Sequence, residues 1–212
     1  MMINIRNEEE KDYRIVEELT REAFWNLHFP GCDEHYLVNQ MRAHKDFIRE
    51  MAFVAEVNGQ IVGNIMYTRS YIINSKGEKA ETLTFGPLSV LPSFQRQSIG
   101  TALINHTVSL AQARNVAAVI IYGNPANYVK HGFKNGIDWH VSDMSGKYPI
   151  GLLVLSLKDD ILLSETWKFH CSDVYDIRPE EIDEFDKTFS HKEKSYQYSQ
   201  TLFSMMIRAF LV

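Results

Sequence analysis

Short apolar runs separated by polar turns divide much of the chain into candidate strands. Residues 51–57 and 60–65 flank Asn58-Gly59, a pair typical of a two-residue β-hairpin turn. Further strands are expected at residues 3–6, 81–90, 117–122 and 151–157. The first strands of the chain are therefore predicted to form an antiparallel sheet.

Apolar residues at helical spacing mark the segments between these strands. Val16, Leu19 and Phe24 recur on one face after Asp12, which predicts a helix with Asp12 as its N-cap. Residues 33–44 and 101–114 are expected to form two further helices. The last of these has the length that a crossover between parallel strands requires.

Gly86-Pro87 interrupts the strand at residues 81–90. Because proline cannot donate a ladder hydrogen bond, we expect a bulge or the end of regular pairing there.

Composition indicates an ordinary globular protein. The 212 residues are 45% hydrophobic and 23% charged, and the net charge of -5 argues against a nucleic-acid partner. Cys32 and Cys171 lack metal-binding or redox spacing, and no apolar stretch is long enough to span a membrane. These features predict a cytoplasmic protein without a membrane partner.

The run from Leu88 to Leu103 places an apolar strand, a polar turn and a helix start in succession. The first amides of a helix have no intrahelical acceptor, and the helix dipole adds positive potential there, so phosphates bind well at such a place. The pattern V-x-P-x-x-Q-x-x-S-I-G-x-A-L resembles the acyl-CoA pyrophosphate loop of the GNAT superfamily of N-acetyltransferases. Gln95 and Gly100 match that loop, whereas Ser98 stands where the family has glycine.

A second resemblance lies downstream. The β-branched run 117–122 is followed by Gly123-Asn124-Pro125 and by Tyr128-Val129-Lys130-His131-Gly132-Phe133, which is similar to the family's fifth strand, short fourth helix and closing element. The implied fold is α/β (α+β), a mixed and mostly antiparallel twisted sheet flanked by helices. Its fourth and fifth strands would be splayed around a CoA cleft.

The resemblance implies an acetyl-CoA-dependent N-acetyltransferase that acts on the primary amine of a small molecule or peptide. Acetyl-CoA is then a cosubstrate, and the direct transfer needs no metal. Tyr128 stands where the family often places the general acid for the departing thiolate, or it fills the core. The residues expected to contact the cosubstrate are Leu88, Ser89, Val90, Gln95, Arg96, Gln97, Ser98, Ile99, Gly100, Thr101, Asn124 and Tyr128.

The amine acceptor must lose a proton before it attacks the thioester. Glu34 and His35, between the first two helices, are the best candidates for the base or for substrate anchors. The alternative is structural, since Asp33 can cap the second helix and Glu34 then lies in its favoured first turn. His28, Cys32 and His35 make a poor zinc site because a fourth ligand at recognisable spacing is missing.

Residues 1–158 are predicted to form the acetyltransferase domain, and 159–212 a C-terminal extension. The apolar stretch 202–212 is expected to pack on the domain or on a second subunit, so a homodimer is one alternative. A competing function is a CoA-binding regulatory module without turnover, supported only by the departure at Ser98.

Overall fold

The computed structural model of the chain describes residues 2–212. In this range the strands are β1 (Asn4–Asn7), β2 (Phe53–Val57), β3 (Gln60–Asn74), β4 (Lys79–Val90), β5 (Ala118–Tyr122), β6 (Lys134–Asn135), β7 (Val141–Ser142), β8 (Tyr148–Pro149), β9 (Leu152–Ser156), β10 (Trp167–His170) and β11 (Phe210–Leu211). The α-helices are α1 (Tyr13–Phe24), α2 (Glu34–Met41), α3 (Ile99–Ala113), α4 (Pro125–Tyr128), α5 (Asp159–Ser164), α6 (Pro179–Asp186) and α7 (Tyr198–Met206).

The predicted hairpin is confirmed. β2 pairs with β3 in antiparallel register from Phe53–Ile65 to Val57–Gln60, across a turn in which Asn58 and Gly59 both have positive φ. Such a turn needs residues that tolerate the left-handed region, which explains the Asn-Gly pair.

Contacts group the chain into two units, and each unit carries part of the sheet. The first unit comprises Met1–Tyr67, Gly86–Ile104 and Asp173–Leu202. In it β1 pairs with β2, and β2 pairs with the first part of β3. The final part of β4 lies next to β3. The amide of Leu91, directly after β4, donates to the Val62 carbonyl at 2.9 Å.

The core of this unit lies between the sheet and the first two helices. Its buried members are Val16, Leu19, Leu37, Val38, Met41, Ala52, Val54, Ile61, Met66 and Val174. Each fully buried aliphatic side chain contributes about 1.5–3 kcal/mol relative to exposure. Helical spacing had predicted the buried positions Val16 and Leu19.

Gly63 allows α3 to pack closely on β3. A Cβ at this position would lie 3.0 Å from Ile99 Cγ2 and 3.1 Å from the Ser89 carbonyl oxygen. The first turn of α3 is thereby fixed directly against the strand.

The second unit comprises Thr68–Phe85, Asn105–Ser172 and Phe203–Val212. β4 pairs with β5 in parallel at Thr82–Ala118 and Leu83–Val119, and β5 pairs with β9 antiparallel over its whole length. β9 continues to β6, while the last part of β3 pairs with β10. The result is the predicted mixed, mostly antiparallel sheet with parallel fourth and fifth strands.

At Gly86-Pro87 a bulge or the end of regular pairing was expected, and pairing with β5 stops before this point. The strand does not end there and continues to Val90, although its paired positions with β5 lie before this point, at Thr82 and Leu83. The expected end of regular pairing is thus found on the edge of β4 that faces β5.

Two predicted helix features are wrong in detail. Asp12 occupies the N-cap position of α1 without a side-chain capping bond, because its carboxylate accepts from Arg6 Nη1 at 2.6 Å. The second helix ends at Met41 rather than at residue 44.

The boundary predicted at residue 158 stays a prediction. The contact-based units divide the chain differently, and residues 173–202 fall with α1 and α2. Among residues 2–212, no helix combines the length and the apolar character that crossing a bilayer would need.

Candidate active site

The loop between β4 and α3 presents the start of a helix. The Ala102 amide donates to the Ser98 carbonyl at 2.9 Å, so the amides of Ile99, Gly100 and Thr101 precede the first intrahelical bond. Ser98 itself is exposed. Three amides without an intrahelical acceptor therefore lie at the positive end of the α3 dipole, next to an exposed residue. A diphosphate binds well at such a helix start.

Two glutamine side chains hold this loop in shape. Gln95 Nε2 donates to the Val90 carbonyl at 3.1 Å, and Gln97 Nε2 donates to the Ser93 carbonyl at 3.0 Å. These bonds tie the turn to the end of β4. Gln95 and Gln97 thus have a local structural role, which leaves their predicted contact with the cosubstrate as a proposal.

Arg96 and Ser98 have positive φ, 59° and 64°. An L-residue in the left-handed region is strained by about 1–2 kcal/mol relative to glycine. This geometry gives a backbone reason for the glycine that related loops carry at the position of Ser98. The loop keeps its conformation with serine there, at a cost in stability.

Gly100 has open space around it. A Cβ would meet Val90 and Leu88 only at 3.9 and 4.0 Å, which are ordinary contact distances. The packing of the chain itself therefore does not demand glycine at this position, and a side chain there would begin beside Leu88 and Val90 of β4.

The backbone of β4 offers a second binding edge. Leu91 donates toward β3, and because backbone groups alternate in direction along a strand, those of Leu88 and Val90 point to the opposite edge. The Ser89 side chain is 1% exposed and donates to Thr20 Oγ1 at 3.2 Å. By the same alternation the main-chain groups of Ser89 face β3, so its predicted contact with the cosubstrate stays a prediction.

Asn124 and Tyr128 belong to the second unit. Asn124 caps α4, where its Oδ1 accepts from the Ala126 amide at 3.0 Å. The Tyr128 ring packs against Phe85 and Phe133, and a Cβ on Gly123 would lie 2.6 Å from Tyr128 Cε2. Burial raises the pKa of Tyr128 to about 12, so its phenol stays protonated at neutral pH.

The segment between α1 and α2 gathers ionisable groups. His28 Nδ1 lies 3.1 Å from Glu34 Oε1, and the Asp33 amide donates to Glu34 Oε2 at 3.3 Å. Burial, reinforced by the neighbouring Glu34 charge, raises the pKa of Asp33 to about 7. Asp33 sits at the N-cap position of α2 but makes no side-chain capping bond, so the capping alternative is wrong for its carboxylate.

His35 is completely buried. Its Nδ1 lies 3.3 Å from Cys32 Sγ and its Nε2 lies 3.1 Å from Asp186 Oδ1, without the alignment of a hydrogen bond in the second case. Burial lowers the pKa of His35 to about 4 and raises the pKa of the Cys32 thiol. The three side chains resemble a nucleophilic triad in spacing, yet their environment opposes both the thiolate and the imidazolium.

Asp186 also anchors the C-terminal segment to α1. Arg21, which is 4% exposed, donates through Nε to Asp186 Oδ1 at 2.7 Å and through Nη1 to the Ser190 carbonyl at 3.1 Å. Its guanidinium lies 4.2 Å from the centre of the Trp25 ring. The ion pair between Arg21 and Asp186 holds α6 against α1. Because α6 covers the imidazole of His35, that side chain is enclosed.

Asn26 forms a second attachment between the α1–α2 segment and the C-terminal part of the chain. Both polar atoms of its side-chain amide take part. Its Oδ1 accepts from the amides of Gly31 and Ser195 at 2.8 and 3.0 Å. Its Nδ2 donates to the Glu193 carbonyl at 3.1 Å and to Ser195 Oγ at 2.9 Å. The α1–α2 segment is therefore shaped by residues about 170 positions further along the chain.

A groove of about 400 Å³ lies beside these attachments. Its walls are formed by Glu22, Ala23, Trp25, Asn26, Leu27, Pro92, Gln95, Gln197, Tyr198 and Ser199. Sequence reasoning missed the contribution of the C-terminal segment to this wall. It also missed Tyr175, whose hydroxyl donates to the Gly86 carbonyl at 3.3 Å, and no local motif marks either feature.

The side chains that the fold brings together as possible metal ligands are not His28, Cys32 and His35, the set that the sequence analysis judged a poor zinc site. Among residues 2–212, His44, Asp46 and Asp173 can place ligand atoms within 4.8 Å of one another. Lys45 Nζ lies 3.1 Å from Asp173 Oδ2 and already balances part of that charge.

Comparison with known proteins assigns the central part of the chain. Residues 49–135 match the family model of the acetyltransferase (GNAT) domain. An 86-residue segment is 29% identical to the uncharacterized N-acetyltransferase YjhQ of Escherichia coli K12, and it covers 40% of this chain and 46% of that protein. Residues 49–135 are therefore similar to a GNAT acetyltransferase domain, which agrees with the resemblance of the motifs, and the chain spans less than half the length of this relative.

Solved structures agree on the fold. A GNAT family acetyltransferase from Brucella melitensis in complex with acetyl-CoA aligns with a TM-score of 0.64 at 22% identity, over 82% of this chain and 98% of that one. The E. coli GNAT family N-acetyltransferase YhbS in complex with CoA aligns with a TM-score of 0.70 at 22% identity, over 82% and 92%. The likeness extends well beyond residues 49–135.

Proposed function

We propose that this protein transfers the acetyl group of acetyl-CoA directly to a primary amine of a small molecule or peptide. The observation that carries the proposal is the loop between β4 and α3, where three amides precede the first bond of α3 at an exposed helix start. The CoA and acetyl-CoA complexes of the structural relatives support the same ligand class.

In this proposal the diphosphate binds the amides of Ile99, Gly100 and Thr101, where the helix dipole and the N–H groups both favour negative charge. The exposed guanidinium of Arg96 adds a positive charge in the same loop. The pantetheine arm then runs along β4 and pairs with the backbone of Leu88 and Val90, as an added strand would. Main-chain pairing explains why these positions need no special side chains.

The amine must be neutral to attack the thioester. An ammonium with a pKa of about 10.4 costs about 4.6 kcal/mol to deprotonate at pH 7. Asp33, with its pKa raised to about 7, combines a useful basicity with a substantial ionised fraction at neutral pH. We assign it the role of base together with Glu34, the residue predicted from sequence.

The fully buried His35 is harder to reach, so its predicted part as a base requires the covering helix α6 to move. Its contacts suit a positioning role better, in which it fixes the α1–α2 segment to Asp186.

The attack forms a tetrahedral oxyanion, for which a strand amide near Val90 is the proposed donor. Collapse of this intermediate releases CoA as a thiolate. Its reference pKa of about 8.5 makes it a tolerable leaving group. Tyr128, with its pKa raised to about 12, would be a weak acid here, and its contribution is best described as hydrogen-bond donation.

A two-stage experiment tests the proposal. Calorimetry with acetyl-CoA measures binding, and a thiol-release assay with polyamines, aminoglycosides, amino acids and peptides measures turnover. We expect binding at one site per chain and release of CoA with at least one amine.

Failure to bind acetyl-CoA would overturn the proposal. Binding without turnover on any amine would instead favour the regulatory module. Glu34→Gln is the informative variant, because it should lower turnover while leaving acetyl-CoA affinity unchanged.

A further inference from the structure

The C-terminal part of the chain exposes an unusual amount of apolar surface. Eight of the seventeen exposed large hydrophobic side chains in residues 2–212 lie between Tyr196 and Val212. Scattered apolar side chains are normal on a surface, but a concentration of them marks an interaction site.

Three of these side chains form a stripe on α7. Tyr198, Leu202 and Met205 are 75%, 57% and 59% exposed and recur at i, i+4 and i+7. This spacing places them on one face of the helix. We call these three residues the α7 stripe.

Other side chains of α7 hold the helix in place. Gln200 is buried and donates through Nε2 to the carbonyls of Asn26 and Ser195 at 2.9 and 3.0 Å. Ser199 Oγ donates to the Leu27 carbonyl at 3.0 Å. The helix is therefore anchored through its polar residues, with the α7 stripe turned outward.

The charge pattern indicates what covers the stripe. No Asp, Glu, Lys or Arg occurs from Ser195 to Ile207, although the chain as a whole carries a net charge of -5. Two copies repel one another over most of their surface. A neutral patch can meet its own copy without like charges facing each other.

A membrane surface suits the stripe less well. Helices that lie at a lipid interface carry Lys and Arg on the polar face, and α7 has none.

We propose that the α7 stripe is a homodimer interface in which α7 packs against α7 of a second copy about a two-fold axis. Such an interface is isologous, so each residue of the stripe meets the same patch on its partner. Interdigitation of i, i+4 ridges suits this spacing. The inference does not depend on the transferase activity.

Sedimentation velocity of the whole chain over an about hundredfold concentration range tests the proposal. We expect a concentration-dependent rise from 24.5 kDa toward twice that mass. Leu202→Glu brings two carboxylates together in the contact and should weaken association at least about 100-fold, since like charges across an interface cost several kcal/mol. Leu163→Glu is the matched control, because Leu163 is 52% exposed on α5, outside the stripe.

Circular dichroism should show that both variants fold. If Leu202→Glu does not fold, Met205→Lys repeats the test at the other end of the stripe. The proposal is overturned if the chain stays monomeric over the whole range or if Leu163→Glu weakens association equally. It is also overturned if the monomer instead sediments with vesicles that contain anionic lipid.

Discussion

The loop between β4 and α3 and the segment between α1 and α2 carry the two halves of the proposed chemistry, yet they are built in different ways. The first is local, since Gln95 and Gln97 bond to carbonyls four or five residues away. The second is shaped over long range, since Arg21 and Asn26 bond to residues more than 160 positions along the chain. The loop proposed to bind the cosubstrate is thus shaped within one short segment, whereas the segment proposed to serve the acceptor depends on the C-terminal part.

The largest effect is expected from breaking the long-range attachment. Asp186→Ala leaves the buried Arg21 guanidinium without its carboxylate and should lower the free energy of unfolding by about 4 kcal/mol. Urea denaturation measures this change. Asp183→Ala on the same helix is the control, because its pair with Lys194 is exposed and should contribute less than about 1 kcal/mol. Equal losses for the two variants would show that the attachment is not what shapes the segment.

The local loop is tested by Gly100→Asp. The space around Gly100 admits the side chain, and a carboxylate in the first turn suits the helix dipole, so the fold should be retained. The same carboxylate repels a diphosphate, and calorimetry should show acetyl-CoA affinity weakened at least about 100-fold. Gly100→Asn, of equal size without charge, should lose much less. Unchanged affinity in the aspartate variant would place the cosubstrate elsewhere.

The acceptor-side chemistry is tested by pH. Since a base must be ionised, turnover should rise with pH through about 7, the raised pKa of Asp33. Asp33→Asn should remove this limb and lower turnover at pH 8 by about tenfold, less than the usual about 100-fold for a general base because Glu34 remains.

The effect of pH on folding stability through Asp33 has the opposite sign to its effect on turnover. The native state keeps the Asp33 proton up to a pKa of about 7 while the unfolded chain loses it near 3.8, so ionised Asp33 destabilises the fold as pH rises. Asp33→Asn should therefore raise stability at pH 8 and have little effect at pH 4. A pH profile that keeps its limb in this variant would assign the base to another group.

The smallest effect is expected at Ser98. Ser98→Gly removes the strain of a positive φ of 64° but adds freedom to the unfolded chain, so we expect a net gain of about 0.5 kcal/mol in thermal unfolding. Acetyl-CoA affinity should be equal or better by calorimetry. A large loss of affinity would mean that the loop is misassigned.

The sequence alone determined the local features of this protein. The Asn58-Gly59 hairpin, the helix start after Ser98 and the apolar runs of β5 and β9 follow from turn chemistry and periodicity, which depend on neighbouring residues. Together with the motif resemblance they predicted the similarity to GNAT acetyltransferases, and the binding of the cosubstrate at the loop before α3 stays a prediction.

Tertiary structure decided the rest. Glu34 and His35 are adjacent in sequence, but α6 covers His35 while Glu34 lies beside His28. The pKa of Asp33 and the wall formed by residues 197–199 likewise depend on burial and on distant contacts. Desolvation is set by whatever part of the chain packs over a group, and a local pattern carries no record of which part that will be.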